Sequence, residues 1–398
     1  MSVDLRDTPD EASFRREVAR WLSMHLPAGS DTTTGAAHEE AADRVAFARR
    51  WQRTLCDGGW AGLDWPREYG GRGASVMQSL IWHEEYARAR GPDLIHLAVG
   101  LGLVGPTLIA HGTEMQKSRF LQPILRGEEL WCQGFSEPDA GSDLAALRTR
   151  GERQGDEIVV SGQKIWTSFA RYAEWCILIV RTNPDVPKHK GLSFLLVDMT
   201  SPGITIRPLR EMTGEAWFNQ VFFDEVRVPA QNVVGEIDRG WDVVMTTLSH
   251  ERGASSPHAR LAGELERLIA IARSTPRQGG RACDDPVLRQ KLAQLAIELE
   301  ILRVTAVRNA SAFARKGVPG PEGSILKLLW SELDQRMKET ALEILGPAGM
   351  VPRGDPRAVD GGFWSHELLW SRAATIYAGT SEIQRNIIAQ RTLGLPRA

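Results

Sequence analysis

Apolar residues recur at helical spacing at both ends of the chain and at strand spacing in its middle. Up to about residue 128, Phe14, Val18, Trp21 and Leu22 share one helix face, and segments 39–58 and 78–90 repeat the pattern. A Gly- and Pro-rich loop, Gly62 to Gly71, separates two of these helices. From about 129 to 235 the runs shorten and turn β-type: Glu157–Val160, Cys176–Val180, Ser193–Val197, Gly203–Arg207 and Gln220–Asp224, parted by Gly, Pro and Asn clusters. After Gly240 the helical period returns over 241–252, 259–273, 286–316, 324–345 and 382–391, with lengths that suit an antiparallel bundle. The pattern predicts an α+β chain of three domains. These are an N-terminal helical domain (1–128), a small middle β domain (129–235) and a C-terminal four-helix bundle (236–398).

Composition narrows the class. The 398 residues, 42% hydrophobic and 25% charged, are enough for about two to three domains of a globular protein. A formal net charge of -2 gives no general pull toward nucleic acid or anionic membrane. No apolar run approaches the ~20 residues of a membrane span. The acidic, amphipathic start of the chain does not read as a secretory signal. Cys56, Cys132, Cys176 and Cys283 are scattered without a C-x-x-C pair, as expected of reduced thiols in a cytoplasmic protein.

Four stretches carry candidate chemistry. In Thr375–Arg391, Ala378-Gly-Thr380 precedes a helix for which Ser381 is the expected N-cap and Gln384 the capping-box partner. Ile383, Ile387 and Ile388 form its expected buried face. N–H groups at such a start, beside a flexible Gly379, suit a phosphate or a carbonyl oxygen. Trp131–Asp143 offers the Ser136 and Ser142 hydroxyls beside a Pro-Asp-Ala-Gly turn. Gly162–Ser168 follows an indole with two hydroxyls, a stacking face with donors for a heteroaromatic ring, although a tryptophan in a β domain is more often core. Thr247–Gly253 places Glu251 next to Arg252 on a helix, ordinarily a solvated pair. Ala254 stands where H-E-x-x-H needs its second histidine, so zinc is excluded there, and no G-x-S-x-G supports a hydrolase. Gly100–Gly105 matches G-x-G-x-x-G, but it follows no strand and precedes Pro106, which favours close helix approach over dinucleotide binding.

Y-x-G-T-x-x-I-Q at Tyr377–Gln384, F-S-E-P-x-A-G-S-D at Phe135–Asp143, and K-I-W-T-S at Lys164–Ser168 together resemble the flavin-dependent acyl-CoA dehydrogenases. The likeness runs from about residue 50 to the C-terminus. The resemblance implies that family's helix–β–helix fold. It also implies FAD held by Gln133, Phe135, Ser136, Ser142, Trp166, Thr167, Ser168, Thr380 and Glu382, with Trp166 against the flavin ring and Ser168 near its N5 edge. Ser142, Arg252, Ala378 and Gly379 would meet the acyl-CoA, the Ala378 N–H holding the thioester oxygen.

In many members the residue after the signature tyrosine is the catalytic glutamate; here it is Ala378. A subset that includes the isovaleryl and long-chain enzymes takes its base from the first helix of the C-terminal bundle, just before an arginine. Glu251-Arg252 falls on that spot, so Glu251 is the candidate base. The expected reaction gives a trans-2-enoyl-CoA, with an electron-transfer flavoprotein as acceptor. The family's R-x-x-F-G is replaced here by Pro276–Arg281, and Glu343 opens the segment that often reads Q-I-x-G-G-x-G. Both changes weaken the half-site lent to a neighbouring subunit. Bacterial relatives acting on sterol side chains pair unlike subunits, so a homo-oligomer (dimer or tetramer) and a heterotetramer both stay open. So do an oxidase or monooxygenase on the same fold and a non-catalytic partner subunit.

Overall fold

The computed structural model describes residues 6–27, 41–253, 257–277, 279–316 and 320–396. It contains two compact units. One comprises the described parts of 1–39, 74–92 and 252–398, the other 40–73 and 93–251.

The first unit is helical: α1 (Pro9–His25), α3 (Val76–Arg88), α8 (Pro257–Ser274), α9 (Pro286–Lys316), α10 (Gly323–Leu345), α11 (Phe363–Ala374) and α12 (Ser381–Ile387). Capping boxes start α1, from Thr8 and Glu11, and α3, from Ser75 and Gln78. Leu261, Leu265 and Leu268 of α8, Leu288, Leu295 and Leu302 of α9, and Met337 and Ala341 of α10 build its core with Phe363 and Trp364 of α11. The sequence pattern missed α11, whose FWSHELLWSRAA buries Ser371 together with Phe363, Trp364 and Ala374.

The second unit holds α2 (Ala41–Asp57), α4 (Ile95–Ala98), a π-helical turn over Val99–Val104, α5 (Gly105–His111), α6 (Glu114–Arg126) and eight strands, and it includes most of α7 (Gly240–Gly253). The strands are β1 (Trp131–Gly134), β2 (Arg150–Gln154), β3 (Glu157–Ser168), β4 (Trp175–Arg181), β5 (Leu192–Asp198), β6 (Ile204–Pro208), β7 (Phe218–Pro229) and β8 (Val233–Val234). Their order is β6-β7-β3-β2-β4-β5-β8, with β1 added in parallel to β4. Cys176–Val180 and Leu192–Val197 are buried at every position, which is why those strands read as continuous apolar runs. β1 and β2 escaped the pattern, being short or mostly exposed.

Gly100–Gly105 is helical, as expected, and close packing explains Gly105, whereas a Cβ on Gly102 would meet nothing within 4 Å. The Trp65 indole donates to Leu101 O at 3.3 Å, and a Cβ on Gly105 would lie 1.8 Å from Trp65 Cζ2. Gly105→Ala is therefore expected to cost about 1–3 kcal/mol by overpacking, read as a lowered urea midpoint. An unchanged midpoint would show that the indole moves aside freely.

The C-terminal element differs from the expectation in three ways. Thr380, not Ser381, is the N-cap, its Oγ1 accepting from the Ile383 N–H at 3.2 Å. Gln384 completes no box, because its amide turns back to the Ala378 and Gly379 carbonyls at 2.8 and 3.2 Å. The buried face consists of Ser381 and Gln384, with Ile383, Ile387 and Ile388 half-buried, and α12 passes after Ile387 into a π-helical turn, Ile388–Thr392.

Candidate active site

β1 delivers the first group of residues. Gln133 is half-buried, and Phe135 is buried edge-on against Phe194, with centroids 6.0 Å apart. Glu137 and Ala140 then exchange backbone hydrogen bonds at 3.0 and 3.1 Å, closing a tight turn over Pro138-Asp139. Ser136 is half-buried and Ser142 exposed.

Lys164 on β3 pins this loop. Fully buried, its ammonium donates to Glu137 Oε1 at 2.8 Å and to Phe135 O at 3.0 Å. The Glu137 carboxylate also accepts the N–H groups of Arg148 (2.6 Å) and Thr149 (2.9 Å). Burial pushes the Glu137 carboxyl up, but the Lys164 charge and these hydrogen bonds outweigh it and hold it below the ordinary range. Ile165 N–H adds a bond to Ser136 O at 2.9 Å.

One bulge sets the next group. β3 pairs Lys164 with Val221 and Thr167 with Asn219, so β3 carries one residue more than β7 between the two pairs. Trp166 absorbs the excess at φ +59°, a left-handed conformation costing about 1–2 kcal/mol for a side-chain-bearing residue. The result is an indole 58% exposed between the half-buried Ile165 and the buried Thr167, lying perpendicular to Phe218 with centroids 6.0 Å apart. Thr167 is fully buried and, among the described residues, its hydroxyl has no hydrogen-bond partner. Ser168 is half-buried. Asn219 fixes the bulge from β7, donating to Thr167 O at 3.0 Å and Trp217 O at 3.1 Å.

In the helical unit the turn before α12 is also left-handed, with Ala378 at φ +52° and Gly379 at φ +88°. Ser381 N–H closes it onto Thr375 O at 3.0 Å, while Gln384 holds the two carbonyls; none of these bonds uses the Ala378 N–H. Thr380, Ser381 and Glu382 line a cleft of about 460 Å³ with Glu332, Gln335 and Glu339 of α10. The Ser381 hydroxyl, 6% exposed as a residue, has no partner among the described residues. The Glu382 backbone N–H and the Thr380 hydroxyl hold the Glu382 carboxyl below its usual range, and Arg336 and Arg385 line the same cleft, which therefore offers carboxylate acceptors and guanidinium donors together.

Glu251 and Arg252 lie in the last turn of α7, and their side chains fall outside the described residues. The helix leading to them is anchored in the second unit: Thr247 Oγ1 lies 2.8 Å from Thr107 Oγ1, and Thr246 Oγ1 2.8 Å from His111 Nε2. Val243, Val244 and Thr247 are buried, and burial pushes the neighbouring His250 imidazole below its ordinary pKa.

The arginines that replace the family's R-x-x-F-G are engaged with their own chain. Arg277 bonds Asp285 at 3.0 Å and Glu343 O at 3.1 Å, Arg281 bonds Arg273 O at 2.9 Å, and Glu343 pairs with Lys291. As they stand, these residues do not fit a pyrophosphate. The bulge does fit a planar heteroaromatic group, presenting an open indole face beside an unmatched buried hydroxyl. Among the described residues no His, Cys, Asp and Glu group could hold a metal, and no helix is long and apolar enough to cross a membrane.

Lys164, Glu137 and Asn219 did not stand out in the sequence. Parity was the available signal for Lys164: it shares a strand face with the buried Ile158 and Val160, where a lysine requires a partner.

Helices, an eight-stranded β layer and a second set of helices are the architecture of the acyl-CoA dehydrogenases. Profiles of that family's N-terminal, middle and C-terminal domains match residues 8–128, 132–226 and 238–393. The chain is 42% identical to the acyl-CoA dehydrogenase IpdE1 of Mycobacterium tuberculosis over 98% of both. Among solved structures, the Tcur3481-Tcur3483 steroid ACAD superposes over 100% of both chains with TM-score 0.86 at 32% identity. The ChsE4-ChsE5 complex from Mycobacterium tuberculosis does so over the same coverage with 0.85 at 34%. This chain belongs to the acyl-CoA dehydrogenase family, whose members are flavoprotein oxidoreductases.

Proposed function

We propose that the protein catalyses FAD-dependent α,β-dehydrogenation of a bulky, ring-bearing acyl-CoA, giving the trans-2-enoyl-CoA, with an electron-transfer flavoprotein as acceptor. The observation that carries the reading is the β3 bulge, where a left-handed Trp166 holds its indole open beside the unpartnered Thr167 hydroxyl. Bound FAD would supply the hydride acceptor for the β carbon of the substrate. Trp166 offers the stacking face for its ring, Thr167 and Ser168 offer hydroxyls, and Gln133, Phe135, Ser136 and Ser142 frame the loop beside them. Thr380 and Glu382 would meet its hydroxyl-bearing portion from their cleft.

Glu251 would remove the α-proton as a carboxylate. Arg252 would orient it. The Ala378 N–H, with Gly379 holding the turn, would donate to the thioester oxygen as negative charge develops there, a role that needs only main chain. The ring-bearing acyl group rests on the steroid named for the solved relative.

Mass spectrometry of the acyl-CoA after turnover with an artificial electron acceptor tests the reaction. A product lighter by two hydrogens supports it, whereas an oxygenated product formed without an acceptor would favour the monooxygenase. Trp166→Asn, which tolerates the left-handed backbone, is expected to leave the melting temperature unchanged or raised. It should weaken FAD binding about tenfold by loss of stacking. Unchanged FAD affinity in a titration would remove Trp166 from the cofactor site.

A second reading concerns assembly. Both solved relatives above are named as pairs of chains, and the arginines of β9 (Pro276–Arg277) and β10 (Gly280–Arg281) are already engaged. We infer a heterotetramer in which an unlike subunit supplies phosphate-binding groups that this chain does not offer. Mass measurement of the co-expressed complex tests it; a flavin-saturated homotetramer would contradict it.

A further inference from the structure

Two stretches whose charged residues lie 27 positions apart in sequence meet through one buried ion pair, and the proposed flavin site lies at both of its ends. Glu137 directly follows Ser136, and Lys164 stands two residues before Trp166. The lysine is fully buried, and the hydrophobic cluster of this β layer is otherwise uncharged. A pair of charges in such a place is not needed for stability, since apolar residues of similar volume commonly serve as well or better. What the charges add is direction. One ammonium grips both the Glu137 carboxylate and the Phe135 carbonyl, and the same carboxylate collects the N–H groups of Arg148 and Thr149. Ile165 N–H to Ser136 O completes a ladder between the loop and β3, just before the bulge.

We propose that the Lys164–Glu137 pair is a positioning device for the flavin: it sets the Gln133–Ser136 loop at a fixed distance from the Trp166 bulge. Flavin affinity and ring environment then depend on two side chains that act only through their neighbours. This rests on the flavin reading given above.

The test uses the full chain, as the complex in which it purifies, with FAD as the probe. Lys164→Met, Glu137→Gln and the double variant are compared by apoprotein melting, FAD titration and visible circular dichroism of the bound flavin. Each single variant is expected to melt lower and to bind FAD at least tenfold more weakly. The double variant, which buries no charge, should recover most of the melting temperature. It should still bind FAD at least tenfold more weakly than wild type, with an altered flavin dichroism band. Glu137→Gln keeps the side-chain shape and serves where Lys164→Met does not fold. A double variant with native melting, native FAD affinity and native dichroism would overturn the proposal, leaving the pair as core filling. Absence of FAD from the wild-type complex would overturn the flavin reading and this inference together.

Discussion

Glu251→Gln is expected to leave FAD bound and the fold intact while slowing reduction of the flavin by acyl-CoA about 10³-fold, within the range for removal of a general base. Glutamine preserves size and shape but cannot accept the α-proton. Because the acyl-CoA contacts assigned to Ala378 and Gly379 do not involve this side chain, substrate affinity should change little. The loss should appear in the rate constant and not in the concentration of half-saturation. By the family resemblance, Ala378 would stand where many members place their carboxylate, and Glu251 would supply one from the position that the other subset uses. The helix that carries Glu251 is fixed about one turn earlier by a buried hydroxyl contact at Thr247 and a half-buried one at Thr246. Stopped-flow reduction at an unchanged rate would remove Glu251 from the mechanism.

Lys338→Met should produce the largest loss of stability in the helical unit. Lys338 is fully buried on α10 and bonds both Glu264 and Asp334, the latter at 2.7 Å. Arg260, half exposed, reaches Asp334 at 3.1 Å and also pairs with Glu264. Burial pushes the Asp334 carboxyl up, and only the charges of Arg260 and Lys338 bring it below its ordinary value. Without Lys338, two nearly buried carboxylates share a single cation that water already screens. Breaking such a pair from one side costs about 3–5 kcal/mol, measurable as a fall in the urea midpoint at unchanged slope. A loss below about 1 kcal/mol, the scale of an exposed pair, would show that the cluster rearranges or admits water.

The helical and β segments were legible because their apolar positions repeat at periods that only one backbone conformation can bury. α11 was not, because its buried positions include Ser371 while Leu369 is exposed, so its apolar letters do not mark its buried face. The motif residues were legible as letters, but their roles depend on features that no spacing encodes. Trp166 is exposed because a single bulge turns it outward, although a tryptophan in a β domain is ordinarily core. The start of α12 moved by one residue because two adjacent hydroxyl residues could each have capped it. Thr380 took the cap, which left Ser381 buried and Gln384 free to fold back on the turn. Lys164 and Glu137 lie more than two dozen positions apart, and their contact exists only once β1 and β3 have found the same sheet.

We propose that this chain removes hydrogen from an acyl-CoA through a flavin. Anaerobic titration of the purified holoprotein with a panel of straight-chain, branched and ring-bearing acyl-CoAs tests it most directly. The account predicts bleaching of the visible flavin band, saturating near one equivalent per bound flavin, with the ring-bearing thioesters acting at the lowest concentrations. A flavin band that no member of the panel diminishes would contradict it.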